Sequence, residues 1–332
     1  MIPFPPSGKL LMIRMGAMGD IVHALPSAAT LRRAFPNAEI DWLVEEHWAM
    51  LLEGNPHVTQ VRTVKRRDWS SLMRTVSELR ERRYDCVIDF QGLMKSAAIA
   101  YFSGATRTVG FSADALKERP AGLAYRHRVD VPAAAHVVEQ NLALVHAVAN
   151  GALAKVEDAF EFPLPGSTGE ATKAARPFPG DYLAVSPSAG WAAKRWPVEK
   201  FAELAARVDR ELGWPTVINC GPGEESLARA ISREGRTHVS QGGLRELIAM
   251  ARGARAFVAG DTGPLHIAAA LGTPVVAVFG PTSPRRNGPY AKRARIVRPE
   301  GVETTYSRSA TADDIARVTV DEVFNALVDV SR

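Results

Sequence analysis

The chain is poor in cysteine: its 332 residues include only Cys86 and Cys220. These form no C-x-x-C pair, which argues against a zinc–thiolate site and against a disulfide scaffold. No apolar run approaches the roughly 18 residues that a membrane-spanning helix needs. The N-terminus, MIPFPPSGKLLMIRMG, lacks the uninterrupted apolar stretch and small-residue cleavage site of a secretory signal. A cytoplasmic location is expected. Several chemical signatures are missing as well. There is no G-x-G-x-x-G loop for a dinucleotide, no G-K-[ST] ending for a P-loop and no H-E-x-x-H. No D-x-D occurs to hold a divalent ion against a nucleotide-sugar, so neither a structural metal nor an obligatory catalytic metal is expected, and no cofactor.

What is present is ordinary for a globular protein: 46 % hydrophobic residues, 23 % charged, 26 Gly and 22 Pro. At about 150 residues per domain the length suggests two domains. The net charge of +5 is unevenly placed, because residues 61–130 hold fourteen Lys/Arg against eight Asp/Glu. A surface of that kind attracts a phosphorylated molecule or an anionic membrane face, unless it is simply solvated. Nucleic acid is not expected, since no reader motif accompanies the charge.

The apolar run KLLMIRM stops at Gly16. After GAMGD, Ile21, Leu25, Ala28 and Leu31 recur at helical spacing, which reads as strand, glycine loop and helix. AEIDWLVEE and VTQVRTV read as strands, 70–83 as a helix, YDCVIDFQG as a buried strand and 136–148 as a closing helix. The stretch 162–181 then brings four prolines and three glycines with no long apolar run. A linker is placed at 166–181, between domains spanning 1–165 and 182–332. The rhythm restarts with YLAVSPSAG, FAELAARVDREL and PTVINCGPGEE, and continues through GLRELIAMARGA, ARAFVAG, PLHIAAALG and PVVAVFG. Thr319 and Glu322 have the spacing of a capping box for the last helix. Two α/β units, each with a glycine-containing loop after its first strand, predict two Rossmann-like domains with parallel sheets.

The chemistry is expected where strands end. In FVAGDTGPLHIAAALG, a strand closes at Gly260, Asp261–Gly263 turn, and Pro264 suits the first helical position. The N–H groups of such a turn favour an anion. Thr262 adds a hydroxyl and His266 lies near enough to face the same spot, unless the turn is only a helix start and His266 a buried hydrogen-bonding residue. Although D-T-G also occurs in aspartic proteases, that chemistry needs a second acid-bearing loop on a β-rich frame. GPTSP (280–284) should lie beside this turn and either closes over the same ligand or is a simple turn. In SPSAGWAAKRWP, small residues admit a ligand while Lys194 and Arg195 place positive charge next to it, where a departing diphosphate gains negative charge, unless KRWP is only a surface helix start. Glu224 and Glu225 either accept ribose hydroxyls or sit as helix N-terminal charges. In RMGAMGDIVHALP, Asp20 either caps a helix or takes the proton of an attacking hydroxyl. His23, one turn on, reads as a helper or substrate contact.

Together RMGAMGDIVHALP, DWLVEE, YDCVIDFQGLMKSA, KRWP, GDTGPLH and GPTSP resemble the ADP-heptose:lipopolysaccharide heptosyltransferases of glycosyltransferase family 9. DWLVEE and IDFQGLMKSA pull towards the type I branch. A type II enzyme or a relative with another glycan acceptor is the alternative, because acceptor loops vary more freely than the donor turn. A non-catalytic carbohydrate-binding protein is a more remote one.

The resemblance implies a GT-B fold, with two Rossmann-like domains facing a cleft and the final helix free to return to the first domain. It implies an inverting transfer of L-glycero-D-manno-heptose from ADP-heptose to the Kdo sugar of Kdo2-lipid A. Asp20 falls on the catalytic aspartate and Lys194 on the lysine that contacts the diphosphate. Glu225 matches a nucleoside contact, and Asp261, Thr262, Gly263 and His266 match the donor turn. Ala189 and Gly190 stand where threonines usually occur, so only their backbone contacts carry over. Gly242 stands where a larger donor-lining residue is common, leaving more room beside the base. Gly19, His23, Lys65, Arg66, Arg67 and Lys95 lie on segments expected to meet the acidic acceptor. ADALKERP departs from the usual Arg-Glu-Pro order at Arg119. A monomer held at the inner face of the cytoplasmic membrane by its basic N-terminal surface is expected.

Overall fold

A computed structural model of the chain describes residues 4–65, 67–149, 160–166, 177–232, 235–307 and 310–332. Arg66 and most of the expected linker lie outside these. The chain divides into two compact units, Met1–Pro165 and Gly166–Arg332.

In the first unit, six parallel strands run in the order β3-β2-β1-β4-β5-β6. They are β1 (Lys9–Ile13), β2 (Glu39–Glu45), β3 (Gln60–Val64), β4 (Cys86–Asp89), β5 (Arg107–Phe111) and β6 (His127–Val129). The central strands KLLMI and CVID are apolar along nearly their whole length and buried on both faces, as a helix-covered parallel sheet requires. Helices α1 (Met18–Ala34) and α4 (Val137–Ala149) pack on each other, while α2 (Trp69–Arg82) touches α3 (Met94–Phe102). Asp68 caps α2 by accepting the Ser71 N–H at 3.1 Å. The sequence reading passed over β5, β6 and α3. β6 is three residues, HRV, at the sheet edge, and β5, RTVGF, is buried but has its apolar run broken by Arg107 and Gly110, so their apolar signal is weak.

The second unit repeats the plan. Its strands are β7 (Leu183–Ser186), β8 (Thr216–Asn219), β9 (Thr237–Ser240), β10 (Ala256–Gly260), β11 (Val275–Val278) and β12 (Ala294–Val297). All are parallel in the order β12-β11-β10-β7-β8-β9, which is the first sheet's order counted from the opposite edge. Helix α5 (Val198–Leu212) buries Phe201, Leu204, Ala205 and Val208 and ends on Gly213 in the left-handed conformation. Burying each of those larger apolar side chains is worth about 1.5–3 kcal/mol. Along the same chain lie α6 (Glu225–Ile231), α7 (Leu244–Gly253), α8 (Gly263–Ala270), α9 (Pro284–Asn287), α10 (Asp313–Ala316) and α11 (Val320–Ser331).

The expected capping box is present on α11: Glu322 N–H donates to Thr319 Oγ1 at 3.2 Å and Thr319 N–H to Glu322 Oε2 at 2.7 Å. Val323, Phe324, Leu327 and Val330 of this final helix enter the second unit's own core, against α5 and β10 to β12. Both cysteines are free and buried. Burial pushes the Cys86 thiol up to about 12, so it is chemically quiet.

In each sheet the chain reverses direction across the strand order between its first and fourth strands, β1/β4 and β7/β10. Beyond the carboxyl ends of such a pair lies the crevice where open α/β sheets bind ligands.

Candidate functional site

In the second unit the loops after β7 and β10 meet at Asp261. Its Oδ2 accepts from Lys194 Nζ at 2.6 Å and from Thr282 Oγ1 at 2.8 Å. His266 Nε2 lies 3.6 Å from its Oδ1. Asp261 is 7 % exposed. Burial alone would raise its carboxyl, but the His266 imidazole and the Lys194 ammonium outweigh that and hold it at about 2. The result is a fixed carboxylate that aims a cation. Lys194 Nζ also sits 4.7 Å from the Trp191 ring centroid.

The close fit of these loops explains two glycines. A Cβ on Gly260 would stand 2.4 Å from the Lys194 carbonyl oxygen, and one on Gly280 would stand 2.6 Å from that of Ala193. The short turn Ala192–Lys194 therefore lies directly on the ends of β10 and β11. Arg195, expected as ligand charge, instead pins this loop by donating from Nε to the Ala189 carbonyl at 2.8 Å. Thr262 is the N-cap residue of α8, so Gly263 opens the helix and Pro264 takes its second position, one later than expected. GPTSP does lie beside the turn. The Thr282 hydroxyl, however, points inward to Asp261, a role the sequence did not reveal.

Other expected donor residues have local partners. Glu225 Oε1 accepts the Gly223 N–H at 3.2 Å, and the backbone N–H groups of Glu225 itself and of Gly223 hold its carboxyl below the usual range. Glu224 Oε2 accepts the Gly221 N–H at 2.8 Å. The room expected beside Gly242 is filled: a Cβ there would fall 2.2 Å from both Cβ and Cγ of Glu246. Gly190 is open, with nothing within 4 Å of the corresponding point.

In the first unit the loop after β1 is laced to the loop after β4. Gln91 Oε1 accepts the N–H groups of Met15 at 3.1 Å and Gly16 at 3.3 Å. Below it, buried Asp89 accepts the Tyr125 hydroxyl at 2.7 Å and the Gln91 and Gly92 N–H groups at 2.8 and 3.2 Å. Burial raises the Asp89 carboxyl against these hydrogen bonds. Asp20 is the third residue of α1, not its N-cap. Its Oδ2 accepts the Ala17 N–H at 3.2 Å and its Oδ1 pairs with Arg14 Nη2 at 2.7 Å. His23, buried one turn on, stacks edge-on against His136 at 5.4 Å. Gly19 is partly exposed beside Asp20.

Two cavities flank Gly16. The larger, about 730 Å³, is bordered by Gly16, Ala17, Glu45, His47, Lys65 and Arg67 among others. The smaller, about 420 Å³, shares Gly16, Glu45, Arg67 and Gln91 and adds Lys95 and Glu118. Three of the expected acceptor residues are thus brought to one place. The described lining of neither cavity includes Asp20, Gly19 or His23, which follow Ala17 on α1. Arg66 lies outside the described residues. Arg119 is exposed and pairs with Asp114 at 3.4 Å, and it is not in the described lining of either cavity. The acids Glu45, Glu46 and Glu118 had no place in the sequence reading; only their presence in DWLVEE and KERP signalled those segments.

Two Rossmann-like units of one topology, one with a cation held beside a helix-start turn and the other with a charged cavity, have the architecture of the GT-B class of glycosyltransferases. Residues 72–313 match glycosyltransferase family 9 (heptosyltransferase), and the chain belongs to that family. It is 33 % identical over 305 residues to lipopolysaccharide heptosyltransferase 1 of Pseudomonas aeruginosa, covering 86 % of this chain and 82 % of the relative. Against lipopolysaccharide heptosyltransferase 2 of Salmonella typhimurium the identity is 28 %, covering 87 % and 88 %. The solved structure of the Escherichia coli heptosyltransferase WaaC with ADP superposes with a TM-score of 0.76 at 25 % identity, covering 97 % of this chain and 99 % of that one.

Proposed function

We propose that this protein moves L-glycero-D-manno-heptose from ADP-heptose onto the Kdo sugar of Kdo2-lipid A, with inversion, in building the lipopolysaccharide inner core. The observation that carries the reading is the Lys194–Asp261 pair at the carboxyl ends of β7 and β10. The higher identity to a heptosyltransferase 1 than to a heptosyltransferase 2 favours the first transfer.

The chemistry is a single displacement. Asp20 takes the proton of the acceptor hydroxyl, whose oxygen bonds to the anomeric carbon from the face opposite the leaving group. The bond from that carbon to the diphosphate oxygen breaks, and its electron pair leaves with ADP. The Lys194 ammonium and the N–H groups of the Thr262–Gly263 turn meet the charge that develops there. One of the three Lys194 donors is used by Asp261, which leaves the others for phosphate oxygens. Glu225 binds the nucleoside, while Lys65, Arg67 and Lys95 receive the acidic acceptor. No metal or cofactor takes part.

The protein works as a monomer on the cytoplasmic face of the inner membrane. Among the described residues no helix is long and apolar enough to cross a membrane. Of the nine exposed large apolar side chains described, six, Trp69, Met73, Met94, Tyr101, Phe102 and Leu123, cluster on α2, α3 and the adjoining turn Arg119–Ala124. With the basic residues of the same segment, they suit a lipid surface.

Incubation with ADP-heptose and Kdo2-lipid A tests the whole reading. ADP release and one added heptose mass are expected, at a rate that a chelator leaves unchanged. An acceptor that stays unmodified while a heptosylated core is extended would instead make this a later transferase.

A further inference from the structure

We propose that Arg14 is a positioning residue for the Asp20 carboxylate, so that the first unit presents its base through an ion pair with a buried arginine and not as a free side chain. The inference rests on reading Asp20 as the base. Arg14 immediately follows β1 and its backbone is fixed on both sides. Its N–H donates to the Leu43 carbonyl at 3.2 Å, and its own carbonyl accepts the Trp42 indole N–H at 3.1 Å. The residue is 7 % exposed. Its Nη1 donates to the Phe90 carbonyl, just beyond β4, and its Nη2 stands 2.7 Å from Asp20 Oδ1.

A planar guanidinium anchored on one nitrogen by the end of β4 has a set direction for the other. The second Asp20 oxygen meets the Ala17 N–H, so the carboxylate is held from two sides. The Asp20 side chain nevertheless remains 41 % exposed, which leaves lone pairs open to an incoming hydroxyl. Stability alone is a poor explanation for this arrangement. An ion pair whose carboxylate is half-exposed contributes little net stability, and Arg14 Nε is buried with no hydrogen-bond partner among the described residues. What the pair supplies is aim. Proton transfer requires the base within hydrogen-bond reach, and a displacement of about 1 Å costs on the order of 10²-fold in rate.

The test is steady-state transfer by Arg14→Met, Arg14→Lys, Asp20→Asn and the Arg14→Met/Asp20→Asn double variant. Thermal unfolding and ADP affinity serve as checks that each is folded. Arg14→Met is expected to lower kcat about 10²-fold with the KM for ADP-heptose within about twofold. Arg14→Lys should recover part of the loss, because an ammonium reaches one acceptor where the fork reaches two. The double variant should be no slower than Asp20→Asn, since a residue acting through Asp20 has nothing left to position. Wild-type kcat in Arg14→Met, with Asp20→Asn slow, overturns the positioning role and leaves the base in place. A double variant slower than Asp20→Asn by the full single-variant factor overturns it too. Asp20→Asn at the wild-type rate removes the base reading itself. If Arg14→Met does not fold, Arg14→Gln, which keeps a donor, takes its place under the same criteria.

Discussion

The two units share a topology but hold the cations Lys194 and Lys65 in different ways. In the second, Asp261, Thr282 and His266 are buried, and the Lys194 side chain that they serve is 16 % exposed. In the first, the Lys65 side chain is 61 % exposed and pairs loosely with the equally open Glu46 at 3.4 Å, while Arg67 and Lys95 are also exposed. A group that every donor carries, the diphosphate, can be met by a preorganised cation that needs no rearrangement at the moment of reaction. On the proposed function, a large acceptor would be met by solvated charges that steer and hold it weakly. The sharpest break of this contrast is a paired substitution. Lys194→Ala should lower kcat by about 10²–10³-fold, while Lys65→Ala should leave kcat within a few-fold and act on the acceptor KM. Equal losses in kcat from both would dissolve the distinction.

The next effect is mechanical. Gly260→Ala places a methyl group 2.4 Å from the Lys194 carbonyl oxygen, so the strand end or the lysine loop must move. Overpacking of this kind costs about 1–3 kcal/mol, and it should appear both as a lower unfolding temperature and as weaker ADP binding. Gly190→Ala, in the same loop but with open space around it, should change neither. Normal ADP affinity in Gly260→Ala would mean that the loop's seat on β10 does not matter for the donor.

These glycines also show what a sequence discloses. Period and glycine placement locate the strand ends, because a buried parallel strand is a continuous apolar run and the turn after it needs small residues. GDTGPLH and KRWP could thus be assigned to neighbouring loops, and Asp261, Lys194 and His266 do converge. Whether a side chain faces the ligand or the protein depends on contacts remote in sequence. Thr282, twenty-one residues from Asp261, turns its hydroxyl inward, and Arg195 closes its own loop. Arg14 reads as one basic residue at the end of a strand until β4 brings the Phe90 carbonyl to it. Gly242 suggests an opening, but Glu246, one helical turn on, fills it.

Acid sharpens the comparison further. The Asp261 carboxyl drops from an ordinary 3.8 to about 2 on folding, so its charged form is favoured in the native state. That stabilisation is complete above about pH 4 and fades as pH falls through 2, a share of roughly 2 kcal/mol. Asp261→Asn should therefore be less stable than wild type at neutral pH, and the gap should narrow between about pH 4 and pH 2. A gap that stays constant across that window in acid-unfolding curves would show that the carboxylate is not held by the charges around it.

The smallest effect separates the halves without mutation. Exposed ion pairs are worth about 0–1 kcal/mol and are screened by salt, whereas buried pairs are screened far less. Raising the ionic strength from about 0.1 M to about 1 M shortens the screening length from about 10 Å to about 3 Å. The KM for a water-soluble, de-acylated acceptor should then rise a few-fold as the attraction of Lys65, Arg67 and Lys95 weakens. The affinity for ADP, which on the proposed function is met by a lysine whose side chain is largely enclosed, should change less. Using an acceptor without acyl chains keeps bilayer binding out of the measurement, so any shift reports the charged cavity beside Gly16. If the ADP term moves as much as the acceptor term, Lys194 meets the diphosphate through solvent, and burial of the Asp261 cluster gives the donor side no advantage over the open one.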